Sequence, residues 1–179
     1  MLTAEDIGAT IRDTLGSFAE AATYRVNSTF TVRAAALTPA GSTTITFGNL
    51  PAGFTGALAG DTFVVGAGTY TVAAPVTPSG GFVTVTFAPA LAVQVASATQ
   101  VVLSRATDYP VRVLMEQVDG YMIQVGLYAG GDYRFTVFGL PIEPSGSGAH
   151  KVVWRGKTLS VQAEISRDST GAAWIVRAK

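Results

Sequence analysis

Between Ala34 and Ser104 the chain carries a single charged residue, Asp61, while the other 23 charges fall in the flanking segments. A stretch this long and this poor in charge cannot stay soluble as a tail; it has to bury its apolar side chains and pair its backbone. Its sequence says how. The runs TTITF (43–47), DTFVV (61–65), GTYTVAA (68–74), FVTVTF (82–87) and TQVVLS (99–104) alternate Thr with Val, Ile, Phe or Tyr and are separated by Gly and Pro. Alternation with period two and turn signals at intervals of about ten residues predict a small antiparallel β domain, a sandwich or open barrel. Threonine hydroxyls, rather than charges, solvate its outer face. The change in composition marks 37–104 as a domain inserted into the rest of the chain.

The flanks have a different character. Ile7, Ile11, Leu15, Phe18 and Ala22 recur at close to the helical period, and Thr3 with Asp6 supplies an N-terminal cap, which predicts an amphipathic helix over 3–22. Gly16 marks a place where that helix bends or ends. Tyr24–Ala36 reads as a strand. From Arg105 the pattern is again β, with strands expected at 109–117, 121–128, 133–139, 150–154, 157–168 and 172–179 and turns at Asp119–Gly120, Gly130–Asp132, Gly146–Gly148, Arg155–Gly156 and 168–171. Val152, Trp154, Leu159, Val161, Trp174 and Val176 alternate so as to line one interior. The expected architecture is mostly β: a discontinuous small β-barrel made of 1–36 and 105–179, with an N-terminal helix and the inserted antiparallel domain 37–104. Insertion at a hairpin costs little, because the entropy of closing a loop grows slowly with its length.

Few chemistries remain open to this composition. Twelve Lys and Arg balance twelve Asp and Glu, so no whole-chain field draws the protein to nucleic acid or to an anionic membrane. There is no cysteine, which removes thiol catalysis, disulfides and cysteine-ligated metals, and the one histidine, His150, lies in a Gly/Ser-rich stretch where a solvent or turn position is expected. No cofactor and no enzymatic activity are expected. The N-terminus lacks the basic and apolar regions of a signal peptide, and no long apolar run implies a membrane span, so synthesis in a cytoplasm is expected. Asp61 and Asp132 each follow Gly before a strand and read as turn-fixing residues. The glycine runs lack the strand–loop–helix setting of a phosphate cradle.

Two features are candidates for contact with a partner. Arg134, Lys151, Arg155 and Lys157, with His150 and Trp154 among them, form the main basic concentration and fit either a solvated face or a contact with DNA phosphate or an acidic surface. The segment Gly139–His150 is too polar and glycine-rich for a core; its prolines stiffen one half and GSG frees the other. Leu140, Pro141, Ile142 and Pro144 are its interface candidates.

The order of elements in the C-terminal half resembles the head completion, or stopper, proteins of the head-to-tail connector in long-tailed bacteriophages and gene transfer agents. The residues that carry the likeness are the extended Val111–Val113 segment and the Gly131–Asp132 turn leading to Phe135 and Val137. They continue with the loop bearing Pro141 and Pro144, the turn Arg155–Gly156–Lys157, the TLSV strand and a last hairpin closing on Trp174–Val176. The resemblance covers about 24–36 and 106–179, where the family has a short loop in place of 37–104. It implies a virion protein made in the host cytoplasm. Its partners would be the portal-proximal adaptor, tail terminator or other tail proteins, and packaged double-stranded DNA in the channel. It would form a homo-oligomeric ring, a hexamer or dodecamer, with no membrane. Other virion roles (tail terminator, tail tube, decoration) and a host-surface or carbohydrate-binding module carried by 37–104 are the alternatives.

Overall fold

A computed structural model describes residues 18–116, 118, 123, 124, 129–167 and 173–179, with side chains omitted at 163 and 164. The fold is mostly β, in one antiparallel sheet. The described residues form ten strands, β1 (Glu20–Ala34), β2 (Thr44–Gly48), β3 (Thr62–Val65), β4 (Gly68–Val72), β5 (Val83–Ala88), β6 (Gln100–Glu116), β7 (Tyr133–Phe138), β8 (His150–Trp154), β9 (Lys157–Arg167) and β10 (Ala173–Ala178). The expected helix lies outside the described residues up to position 17, and its last three residues, Glu20–Ala22, are already strand. They are held there because Glu20 is bonded to Trp154 and Arg155. The strand expected at 121–128 lies almost wholly outside the described residues.

β6 corrects the expectation of two strands at 99–104 and 109–117: it runs unbroken for 17 residues. The stretch between them is tied down at both ends, by Arg105 on Asp61 and by Asp108 on Arg25. Pro110 follows just after it at an exposed position, where its missing N–H costs least.

The chain divides into two compact units, Asn27–Ala106 and Met1–Val26 with Thr107–Lys179. The boundaries fall inside β1 and β6, so each long strand gives one part to each unit. In unit 27–106 the core is aromatic. Phe63 stacks on Tyr70 at 5.3 Å and meets Phe47 and Phe87 edge-on at 5.5 and 5.1 Å. Alternate residues point outward and are threonines: Thr44 and Thr46 on β2, Thr69 and Thr71 on β4, Thr84 and Thr86 on β5. The other unit packs Tyr24, Val111, Val113, Phe135, Val137, Val152, Trp154, Leu159, Val161 and Val176, with Trp174 partly buried against them. Loop 139–150 departs from the expectation that it stays clear of the core. Leu140 and Ile142 pack against that core and Pro144 is buried, so only the Gly/Ser half is free of it.

The two units follow one plan. In unit 27–106 the pairing order is β1–β2–β5–β4–β3–β6; in the other it is β6–β7–β10–β9–β8–β1. If β1 to β5 are matched to β6 to β10 in order, every pairing in one unit has its counterpart in the other. The registers match as well. Ala34 opposite Phe47 corresponds to Val113 opposite Val137, and Ile45 opposite Val85 to Phe135 opposite Val176. Phe63 opposite Tyr70 corresponds to Val152 opposite Leu159, Val72 opposite Phe87 to Val161 opposite Ala178, and Phe63 opposite Leu103 to Val152 opposite Tyr24. All of these residues are buried. Both copies then leave their second strand by the same device, a residue with positive φ followed by Leu-Pro: Asn49 (φ 51°) before Leu50–Pro51 and Gly139 (φ 76°) before Leu140–Pro141. The chain is thus an internal repeat in which each copy completes its unit with the start of the other copy's first strand.

Candidate functional site

The tip of the β8–β9 hairpin carries two of the four expected basic residues, Arg155 and Lys157. Arg155 occupies a two-residue turn with φ of 47°, followed by Gly156 at 75°. This matches a turn that needs positive φ at both positions, with a non-glycine residue accepting the strain at the first. The Arg155 guanidinium lies 4.7 Å over the Trp154 ring and forks onto Glu20, with Nε donating to Oε2 at 2.7 Å. Trp154 Nε1 donates to the same Oε2 at 2.9 Å, so its buried indole is satisfied. Arg155 beside Glu20 holds that carboxyl below its ordinary range, and Glu20 in turn raises the guanidinium. Lys157 Nζ donates to the Tyr133 hydroxyl at 2.9 Å and lies 5.2 Å above that ring, whose centroid is 6.2 Å from Trp154.

Neutralisation divides the four expected basic residues into two kinds. Arg134 is ion-paired with Glu116, which also accepts from Thr136, and Arg155 is ion-paired with Glu20. Lys151 and Lys157 have no carboxylate within ion-pair distance among the described residues. Lys151 stands on β8 opposite Arg25, itself forked onto Asp108 at 2.7 Å. The available positive charge is therefore about half of what the sequence suggests. Leu140, Pro141 and Ile142 lie apart from this tip in the contacts they make. With Glu143 they line a shallow recess with Trp174 and Arg167, whose guanidinium lies 4.7 Å over the Trp174 ring. Pro144 is buried and presents little to a partner.

The sister unit shows how little of this tip the fold requires. By the matched registers, Tyr133, Trp154, Arg155, Lys157 and Glu20 correspond to Thr43, Val65, Gly66, Gly68 and Thr99. The same hairpin closes with none of the aromatic, cationic or anionic groups. Sequence reasoning missed Glu20, which it placed on a helix, and Tyr133. It also missed the buried roles of Asp61 and Asp132 as ion-pair partners of Arg105 and Arg177, although it placed both at turns correctly.

The arrangement offers ion pairs, stacked guanidinium groups and two ammonium groups without an ion-pair partner among the described residues. Among the described residues no three metal-ligating side chains converge, and no helix is long and apolar enough to cross a membrane. No protein-family model, curated protein or solved structure matches the chain.

Proposed function

We propose that this chain is a structural subunit of a phage head-to-tail interface, a protein of β-barrel units forming a ring between the portal-proximal adaptor and the tail and helping to retain packaged DNA. The observation that carries the reading is a contrast between two units with matching cores. At equivalent outward positions one has Arg134, Arg177, Lys151 and Arg25 where the other has Thr44, Thr86, Thr62 and Ser104. Two surfaces built on one plan and differing in charge are suited to different surroundings, and an uncharged Thr/Val face suits burial against neighbouring subunits. The resemblance of 106–179 to stopper proteins supplies the setting, and the return of the strand order to β1 supports the barrel. A carbohydrate-binding module in 37–104 is less well supported, because Phe47, Phe54, Phe63, Tyr70 and Phe87 are buried and only Phe82 is exposed. Purified tailed particles should hold six or twelve copies; hundreds would indicate a tube or decoration protein.

The two lysines without an ion-pair partner among the described residues give a sharper test. Lys151→Ser with Lys157→Ser leaves the five ion pairs of the described residues intact and removes the exposed hydrogen bond and cation–π contact of Lys157 with Tyr133, at a cost of about 1 kcal/mol. The expected result is a melting temperature within a few degrees of the parent, by the scaling that relates stability to melting, with particles that lose packaged DNA or fail to join tails. Normal, DNA-filled tailed particles from this variant would reduce the tip to a solvated face.

A further inference from the structure

We propose that His150 is an acid-released latch on the second half of the loop between β7 and β8. The ring is not the solvent-facing turn residue that its sequence context predicts. Its Nδ1 lies 2.9 Å from the Tyr24 hydroxyl and 3.2 Å from the Ser145 amide nitrogen. A backbone amide can only donate, so Nδ1 must present its lone pair and the ring proton must sit on Nε2. A proton added to Nδ1 turns this acceptor into a donor. The Tyr24 oxygen can then accept from it, but the Ser145 N–H faces another N–H, loses its imidazole acceptor and is left with the Tyr24 hydroxyl alone.

What Ser145 anchors is the half of the loop that does not pack on the core. Leu140 and Ile142 pack against the core and Pro144 is buried, while Gly146, Ser147 and Gly148 are exposed. Losing the imidazole acceptor therefore loosens Ser145–Ala149 and leaves the first half in place. Among the described residues Tyr24, on β1, is the one titratable side chain bonded to the ring. Arg25 and Lys151, the nearest charges on β1 and β8, are one residue off its register and point to the opposite face; Arg25 is held by Asp108, and Glu143 is exposed in the loop.

The other copy provides an internal control. His150 and Ser145 correspond to Asp61 and Gly56. There the matching loop is clamped by a buried ion pair: Arg105 donates to Asp61 and, at 2.6 Å, to the Gly56 carbonyl, while Leu58 N–H donates to Asp61 at 2.8 Å. The same loop position is thus held by a fixed charge pair in one copy and by a neutral imidazole in the other. Burial pushes His150 below its ordinary value of 6.5, so the neutral, latched form is complete above that pH and is lost as pH falls beneath it.

The test is native-state amide exchange on the full chain at about pH 7.5 and about pH 5, corrected for intrinsic rates. The Ser145 amide should lose about tenfold or more in protection at the lower pH, in line with imidazole titration in this range, and the Leu58 amide should not change. His150→Asn places an acceptor oxygen where Nδ1 stands and should keep Ser145 protected at both pH values. Equal Ser145 protection in the parent at both pH values, or the same loss in His150→Asn, would overturn the latch. The parent's imidazole ¹⁵N shifts give a reading that needs no variant: the Nε2–H tautomer is expected at the higher pH, and the Nδ1–H tautomer would sink the proposal.

Discussion

Arg105→Ala should destabilise the unit 27–106 by about 3–5 kcal/mol, the usual cost of breaking a buried ion pair from one side. Asp61 retains only 3% side-chain exposure and Arg105 13%, so the carboxylate left behind could not regain water. Arg105 also donates to the Gly56 carbonyl and lies 5.2 Å over Phe30, which meets Phe54 edge-on, so the loop 49–61 would lose its clamp as well. For a unit of this size the loss corresponds to a fall in melting temperature of more than about 10 °C. The surface pair Arg25–Asp108 is the control: its partners are 38% and 46% exposed, and Arg25→Ala should cost less than about 1 kcal/mol. Asp61→Asn combined with Arg105→Met should recover much of the loss, because removing both charges leaves none buried alone. An Arg105→Ala variant that melts within a degree or two of the parent would show that the pair is not what holds this loop.

Where the strands fall was legible because threonine alternation and Gly/Pro turns act locally. β2 to β5 and β7 to β10 lie within a residue or two of the sequence expectation, and His150–Trp154 coincides with it. What could not be read locally was long-range. Arg105 to Asp108 contains three charged or polar residues before Pro110 and looks like a linker. It is strand because Asp61, 44 residues away, and Arg25, 83 away, bind its two ends. Glu20 looked helical for the same reason: its partners lie some 135 residues on. The repeat left a sequence trace, in Leu50–Pro51 against Leu140–Pro141 and Thr69-Tyr-Thr-Val72 against Thr158-Leu-Ser-Val161. The contrast in surface charge masks it, since charge varies freely on positions the core does not use. The same contrast draws the eye to 36 and 104 as module edges, whereas the cores change hands within β1 and β6.

That difference decides where the chain can be cut. Replacing 27–106 with a short Gly/Ser linker from Val26 to Thr107 should leave a folded protein with a cooperative melt. Its core cluster draws only on residues from Ala22 to Val26 and from Tyr109 onward, and none of its members belongs to the cluster of the other unit. The new join is geometrically undemanding, because Arg25 and Asp108 on the two sides of it are already within 2.7 Å through their side chains, and closing a short loop is inexpensive. Removing 38–103 instead, at the charge boundary, should fail. It would keep Phe30, Val32 and Ala34, which pack in the unit just deleted, and would leave a strand half with apolar side chains and open backbone groups, a template for aggregation. The comparison is read by circular dichroism, thermal melting and light scattering on both variants. A cooperative, monomeric 38–103 deletion beside an unfolded 27–106 deletion would place the boundary at the loops and break the assignment of β1 and β6 to both units.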